Sequence, residues 1–230
     1  MKAIHLLMFA ILSLPTRSPA QGQPERPADP GAATAWRPLF DGRSLDGWEH
    51  LDPGRFLVED GMLRTEGGMG LLWYSREKLG DCVLRVVYKT GTPRSNSGVY
   101  IRIADRPKDE WYAVHHGYEV QIMDSGPELR RTGSIYTFAK AEAQPAKQGE
   151  WNILEVTLQG DRVLTSINGV RVAKFDPAGP VPERKDTSPH GDPERGPRPR
   201  SGYIGLQNHD ERSVVYFKEV AVRPLAPAVP

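Results

Sequence analysis

Cysteine is nearly missing from this chain. Cys82 is the only one among 230 residues, so no internal disulfide can form and a disulfide-stapled scaffold is excluded. Cys82 opens an apolar stretch, with no helix start and no paired histidine beside it. It reads as a small buried hydrophobe rather than a nucleophile. A surplus of either charge is missing too. Lys and Arg number 30 and Asp and Glu 29, a formal net charge of +1. A balance so near zero argues against a nucleic acid or a membrane surface as partner. No apolar run is long enough to span a bilayer, which argues against membrane insertion. Also lacking are His-x-His or His-x-x-x-His pairs for zinc, a loop of EF-hand spacing, a Gly-rich phosphate loop and a nucleophile elbow. No internal repeat and no convincing amphipathic helix can be traced. Whatever chemistry the chain performs must rest on carboxylates, amides and at most one histidine.

What is present begins with a leader-like segment. Lys2 supplies a positive start, Ile4 to Leu14 a short apolar run, and Ser18-Pro19-Ala20 a small-residue cleavage site before Gln21. This pattern predicts a secretory signal peptide over residues 1–20 and a secreted or periplasmic mature protein. No cysteine lies near the cleavage point to accept a lipid anchor. Removing Lys2 and Arg17 changes the net charge from +1 to −1. Residues 21–35, rich in Pro, Ala and Gly, read as a flexible tether. Residues 36–225 are then left for a single domain with a sizeable core.

Within that domain the dominant period is two. Phe56-Leu57-Val58-Glu59 and Met62-Leu63-Arg64-Thr65 flank Asp60-Gly61, a strong hairpin signal. Cys82 to Lys89 and Ser97 to Ala104 read as strands. Trp151 to Leu158, Arg162 to Ile167 and Val170 to Phe175 read as a meander turned at Gly160-Asp161 and Asn168-Gly169. Tyr203 to Gln207 and Val214 to Val222 complete about ten strands. Many short strands with tight turns predict an all-β sandwich of two antiparallel sheets with negligible helix. Residues 177–200 break the pattern. Seven prolines and mixed charges there cannot hold a ladder and have little to bury, which predicts a mobile surface excursion.

The stretch richest in chemistry is Gly117-Tyr118-Glu119-Val120-Gln121-Ile122-Met123-Asp124. On a strand, Glu119 and Gln121 share one face while Val120 and Ile122 share the other. A one-residue bulge would return Asp124 to the face of Glu119, and bulges gather near active sites. The plain alternative is a half-buried strand with a solvated face. Asn96 and Arg102 fall on one parity of the preceding strand, beside Gly98 and Tyr100. Asn96 suits either sugar hydroxyls or a turn, and Arg102 either a salt bridge to Glu119 or a substrate oxygen. His209 stands at a strand end, where it can act as acid or base or simply face solvent. His115 and His116 are adjacent, so on a strand at most one would join a site. Trp48, Trp73, Tyr100, Trp111, Tyr118 and Tyr136 offer either core packing or stacking faces for sugars.

Several of these segments, in order, resemble the 3-keto-disaccharide hydrolase family. They are Leu39-Phe40-Asp41-Gly42 through Gly47-Trp48, Val58-Glu59-Asp60-Gly61, Asn96-Ser97-Gly98-Val99-Tyr100-Ile101-Arg102, the Gly117 to Asp124 strand, Gly149-Glu150-Trp151-Asn152, Ile167-Asn168-Gly169-Val170 and Gly205-Leu206-Gln207-Asn208-His209. The resemblance implies a concanavalin A-like jelly roll with a concave sugar-binding face, and action on glycosides whose sugar carries a 3-keto group. Glu119-x-Gln121-x-x-Asp124 also resembles the Glu-x-Asp-x-x-Glu strand of laminarinase-like glycoside hydrolases. The Gln and the final Asp depart from that pattern and weaken an ordinary retaining mechanism, which needs an acid and a nucleophile ~5–5.5 Å apart.

Keto chemistry needs less. A carbonyl at C3 acidifies the proton at C2. A base removes it, the enolate expels the glycosidic oxygen at C1, and water adds back. On this reading Glu119 is the base, and Asp124 or His209 is the acid on the leaving oxygen. Asn96, Arg102, Gln121, Tyr118 and Gln207 would hold the carbohydrate or oxidised glycoside. A divalent cation such as calcium is neither demanded nor excluded. The alternatives are a conventional glycoside hydrolase and a non-catalytic, lectin-like sugar-binding module.

Overall fold

Tight turns organise the chain as their residues dictate. Asp60 and Gly61 both take positive φ (49° and 77°), as do Asn168 and Gly169 (52° and 79°). That is the backbone twist a two-residue hairpin needs. They join β3 (Arg55–Glu59) to β4 (Met62–Glu66) and β10 (Arg162–Ile167) to β11 (Val170–Phe175). The computed structural model describes residues 35–225. The predicted signal peptide and all of the tether but Ala35 lie outside the described residues.

Two antiparallel sheets result. The larger runs β11-β10-β9-β6-β13-β4-β3, with β1 (Arg37–Pro38) paired to the far end of β13. Its central strands are β6 (Cys82–Thr90), β9 (Asn152–Gln159) and β13 (Val215–Pro224). The smaller sheet runs β2-β5-β12-β7-β8: β2 (Trp48–Leu51), β5 (Gly70–Tyr74), β12 (Tyr203–Asn208), β7 (Ser97–Ile103) and β8 (Tyr118–Ile122). The fold is thus the expected all-β, jelly-roll type sandwich. One short helix, α1 (Tyr112–His116), and one 3₁₀ turn (Glu128–Arg130) complete it. Among the described residues no helix is long and apolar enough to cross a membrane.

The core fills the space between the sheets. Leu84, Val86, Leu154 and Val156 of the larger sheet face Leu72, Val99, Val120 and Leu206 of the smaller, all fully buried. An unusual feature follows on the other side of the smaller sheet. Every residue of β5, β7 and β8 is buried, so this sheet is covered on both faces. A second cluster, with Leu71, Trp73, Tyr100 and Ile103 on the strands and Ala113 and Val114 on α1, occupies that outer face. The unbroken apolar run of β5 (Gly-Leu-Leu-Trp-Tyr) is the sequence consequence.

Residues 177–200 form neither helix nor strand, as their prolines require, but they are not the free excursion their composition predicts. Asp192 is buried. Its carboxylate accepts from the backbone N–H of Lys185 (2.9 Å) and Asp186 (3.2 Å) and pairs with Arg130 (3.0 Å). Arg198 donates to the carbonyl of Gly117 (2.8 Å) and Arg195 to the hydroxyl of Thr137 (3.2 Å). The segment is a strap fastened across the molecule by its own charged side chains.

Candidate active site

β7 and β8 pair with Tyr100 opposite Glu119 and Gly98 opposite Gln121. Because β8 alternates regularly, Val120 and Ile122 enter the core while Glu119 and Gln121 project from the outer face. They meet no solvated surface there: Glu119 is 5% exposed and Gln121 3%. The solvated-face alternative is excluded by the layer above, made of α1, the Thr132–Tyr136 segment and the strap. Thr132–Tyr136 also closes the free edge of β8, Gln121 N–H donating to Ser134 O (3.0 Å) and Tyr136 N–H to Glu119 O (2.8 Å).

Beneath this cover lies a pocket of about 230 Å³ lined by Glu119, Gln121, Asn96, Gln207, His209, Met69, Trp111, Val114, Met123, Arg130, Tyr136, His190 and Gly191. At ~30 Å³ per water it has room for roughly seven, the scale of one sugar ring. The Glu119 carboxyl lies over Gly98, where a Cβ would fall within 2.3 Å of its Oε1, so the close approach requires glycine. Burial raises the Glu119 pKa from an ordinary 4.5 to about 8, against a smaller lowering by the hydrogen bond from Tyr100. Gln207 Nε2 donates to the Tyr100 hydroxyl at 2.5 Å, which leaves the phenolic proton for Glu119. Tyr100 thus links Gln207 to Glu119, its partner on the paired strand. Two further oxygens, Asn96 Oδ1 and Gln207 Oε1, are buried with no protein partner. Such orphaned acceptors cost ~1–3 kcal/mol each and suit hydroxyl donors of a bound polyol. With the Glu119 carboxyl they are also oxygens of the kind a hard cation takes. Among the described residues no cluster of three or more His, Cys, Asp or Glu is present.

Asn96 and His209 both line the pocket. Asn96 accepts nothing at its own oxygen, but its backbone N–H donates to Ser213 Oγ (2.9 Å). His209 Nδ1 lies 2.7 Å from Asp210 Oδ2, a contact that places the donor proton on Nδ1. Trp111 and His190 also line it, stacked with ring centroids 4.4 Å apart.

Of the residues singled out from sequence, Glu119, Gln121, Asn96, Gln207 and His209 converge on this pocket. Three others do not. Asp124 does not return to the face of Glu119, because no bulge forms: β8 ends at Ile122, Met123 keeps the parity and enters the pocket, and Asp124 falls outside it, accepting from Thr132 Oγ1 (2.6 Å). Arg102 is also diverted. Four residues of β7 (Tyr100 to Ile103) span three of β12 (Gly205 to Tyr203), and Arg102 takes φ +57° at this bulge. Its guanidinium turns to Gly160 O (2.9 Å) and Asp81 (3.6 Å). Tyr118 shares parity with Val120 and is a core ring, edge-on to Phe138 (5.2 Å) and Phe175 (5.0 Å).

Among the candidate stacking residues, Trp111 and Tyr136 line the pocket and Tyr100 is fully buried beside Glu119. Trp48 belongs to the inner core, and Trp73 is buried against Tyr203. His115 and His116 lie on α1, not on a strand; His115 Nε2 contacts Pro189 O (3.0 Å) and His116 stacks on Tyr112. Sequence reasoning missed Arg130, His190, Met69 and Met123. Arg130 supplies the guanidinium expected of Arg102, but it sits on a 3₁₀ turn that no periodicity marks.

The structure is similar to a candidate glycosyl hydrolase of Parabacteroides distasonis ATCC 8503, with a TM-score of 0.68, 22% identity, and coverage of 83% of this chain and 94% of that one. A Bacillus subtilis protein of unknown function with a galectin-like fold matches at a TM-score of 0.59 and 14% identity, covering 82% and 94% of the two chains. The carbohydrate-binding module CBM66 of Bacillus subtilis matches at 0.52 and 15%, covering 76% and 93%. At such identities the likeness speaks to the fold alone. No curated protein matches the chain in sequence. The model of the 3-keto-alpha-glucoside-1,2-lyase-like domain matches residues 35–223.

Proposed function

The chain belongs to the 3-keto-alpha-glucoside-1,2-lyase-like family, and we propose that its pocket cleaves the glycosidic bond of a 3-keto-glycoside by elimination, with Glu119 as the base. Membership and fold support the coarser statement, a carbohydrate-active hydrolase or a sugar-binding protein. The finer reading rests on one observation: the pocket lining contains a single carboxyl group, Glu119, and it is buried. Direct displacement or hydrolysis of an unactivated glycoside needs two carboxyl groups flanking the bond. Abstraction of an acidified C2 proton needs one base and donors for the developing enolate.

Glu119 fits that base. A carboxyl lifted to about 8 is a far stronger base than one at 4.5, at the expense of being half ionised only near pH 8 and mostly protonated below it. Tyr100 and Gln207 orient it. Arg130 and the Gln121 amide face the ring as donors toward the keto oxygen and hydroxyls, His209 Nε2 as an acceptor for a hydroxyl, and Trp111 and Tyr136 offer faces for the ring's C–H side. After C2 deprotonation the enolate collapses, the C1–O bond breaks, and the unsaturated keto sugar either leaves or takes up water. A sugar-binding module would have no use for a buried, proton-hungry carboxyl, though the orphaned Asn96 and Gln207 oxygens would serve it equally well.

The deciding experiment incubates the purified protein with a 3-keto-glucoside and its unoxidised parent, with and without chelator. Cleavage of the keto form alone is expected. Cleavage of the parent would assign a conventional glycosidase, and binding without turnover of either a lectin-like module. Loss of keto cleavage on chelation would add a cation to the oxygens of Asn96, Gln207 and Glu119. Export through a leader at residues 1–20 belongs to the same proposal and is read from the N-terminus of the mature protein.

A further inference from the structure

A second hollow, of about 520 Å³, opens beside the pocket and shares two lining residues with it, Trp111 and His190. Its walls carry Tyr112 and His116, stacked at 4.3 Å, and the ion pair of Arg184 with Glu194. We propose that this hollow is the leaving-group subsite, that it takes a polyol alcohol such as a second sugar ring, and that His190 is the acid that protonates the departing oxygen. The proposal rests on the reading of the pocket as a keto-glycoside site and extends it to the other side of the scissile bond.

Three observations carry it. The first is continuity. With the keto sugar over Glu119, the bond to the leaving group must cross the boundary between the two spaces, and His190 is the only titratable side chain common to both linings. The second is placement. His190 belongs to the strap, yet both its flanks are tied down: His115 Nε2 contacts the Pro189 carbonyl at 3.0 Å, and the buried Asp192 is held by Arg130 and two backbone N–H groups. Trp111 supports one face of the ring. The backbone on both sides of His190 is thus fixed, while its exposed ring rests on Trp111. The third is the elimination of rivals. Asp124 is outside the pocket, and His209 is engaged with the Asp210 carboxylate and does not line the second hollow.

The proton bookkeeping closes. Glu119 takes the C2 proton, and the C–H electrons form the enolate. Its collapse makes the C1–C2 double bond and expels the C1 oxygen with its electron pair. The imidazolium of His190 gives that oxygen its proton. The products are an unsaturated keto sugar and a free alcohol, and solvent returns both residues to their starting states.

The test compares two 3-keto-glucosides in the full-length protein. One has a 4-nitrophenyl leaving group, which departs without help, and the other a sugar or methyl leaving group, which does not. His190→Ala and His190→Gln should lose at least about a hundredfold on the poor leaving group and only a few-fold on 4-nitrophenyl. Tyr112→Ala should raise KM for the sugar aglycone and leave the methyl glycoside unchanged. A His190 variant slowed equally on both leaving groups, or on neither, overturns the assignment. Glu119→Gln separates this failure from that of the underlying reading. If it abolishes cleavage of both substrates while His190 proves indifferent, only the acid is misassigned. If it leaves both intact, the pocket reading fails as well.

Discussion

At the residue scale the molecule turns on one carboxyl in an unfavourable place. Glu119 faces Tyr100 across a strand pair, lies over a glycine, and is covered by a strap and a helix, so burial dominates its proton affinity. Replacing it by Gln keeps its shape and removes its basicity. Turnover of a 3-keto-glucoside should fall by at least ~10² with sugar binding largely kept; wild-type turnover in this variant would falsify the mechanism. Tyr100 provides a finer probe. Its hydroxyl lowers the Glu119 pKa, so Tyr100→Phe should raise it further. On the 4-nitrophenyl 3-keto-glucoside, which needs no acid, the rising limb of the pH–kcat/KM profile is expected near pH 8 in the wild type and should move to higher pH in the variant. A limb that stays in place would mean that Tyr100 does not reach the carboxyl. Glu119 and Gln121 were legible in the sequence because a strand alternates. Asp124, Arg102 and Tyr118 were not: whether a bulge falls at Arg102 or at Asp124 depends on partner strands that local sequence does not display.

At the element scale the informative pieces are those without a period. The hairpins at Asp60-Gly61 and Asn168-Gly169 and the long strands β6, β9 and β13 follow from alternation and turn chemistry alone. β5 escapes that reading because it is buried on both faces and has no polar alternation to show. α1 escapes it because five residues are too few for a helical period. The strap reads as disordered because its prolines and charges promise no core, and its fastening to Arg130, Gly117 and Thr137 is a tertiary fact. Asp192 is the fastening's centre. Burial works to raise its pKa, but the N–H groups of Lys185 and Asp186 and the charge of Arg130 hold it below the usual carboxylate range. Asp192→Ala removes the acceptor of all three. Limited trypsin digestion should then cut at Arg184 or Lys185 in the variant well before it cuts the wild type, while the far-UV CD spectrum stays that of a β sandwich. Activity should fall with it, since Arg130 and His190 lose their common anchor. Equal resistance of the two proteins would mean that the strap is held by other contacts.

At the scale of the whole molecule, the site and the fold are linked through the proton on Glu119. Its pKa is raised in the folded protein, from an ordinary 4.5 to about 8, so the folded state binds a proton that the unfolded state has released. The contribution of this group to stability is complete below about pH 4.5 and is lost as pH rises through about 8. Over that window the wild type should lose an amount on the order of 5 kcal/mol attributable to Glu119, at ~1.4 kcal/mol per pH unit. Glu119→Gln has no proton to release. It should match the wild type in urea midpoint near pH 5 and exceed it near pH 9, once alkaline titration of other groups is subtracted as the difference between the two proteins. A difference that stays constant across pH would show that Glu119 titrates in the fold as it does in water, and that the cover over the outer face is open to solvent. The variant that gains stability at alkaline pH is the same one expected to lose turnover. That pairing is the signature of a carboxyl kept in a costly environment for its basicity, and a merely structural glutamate would not give it.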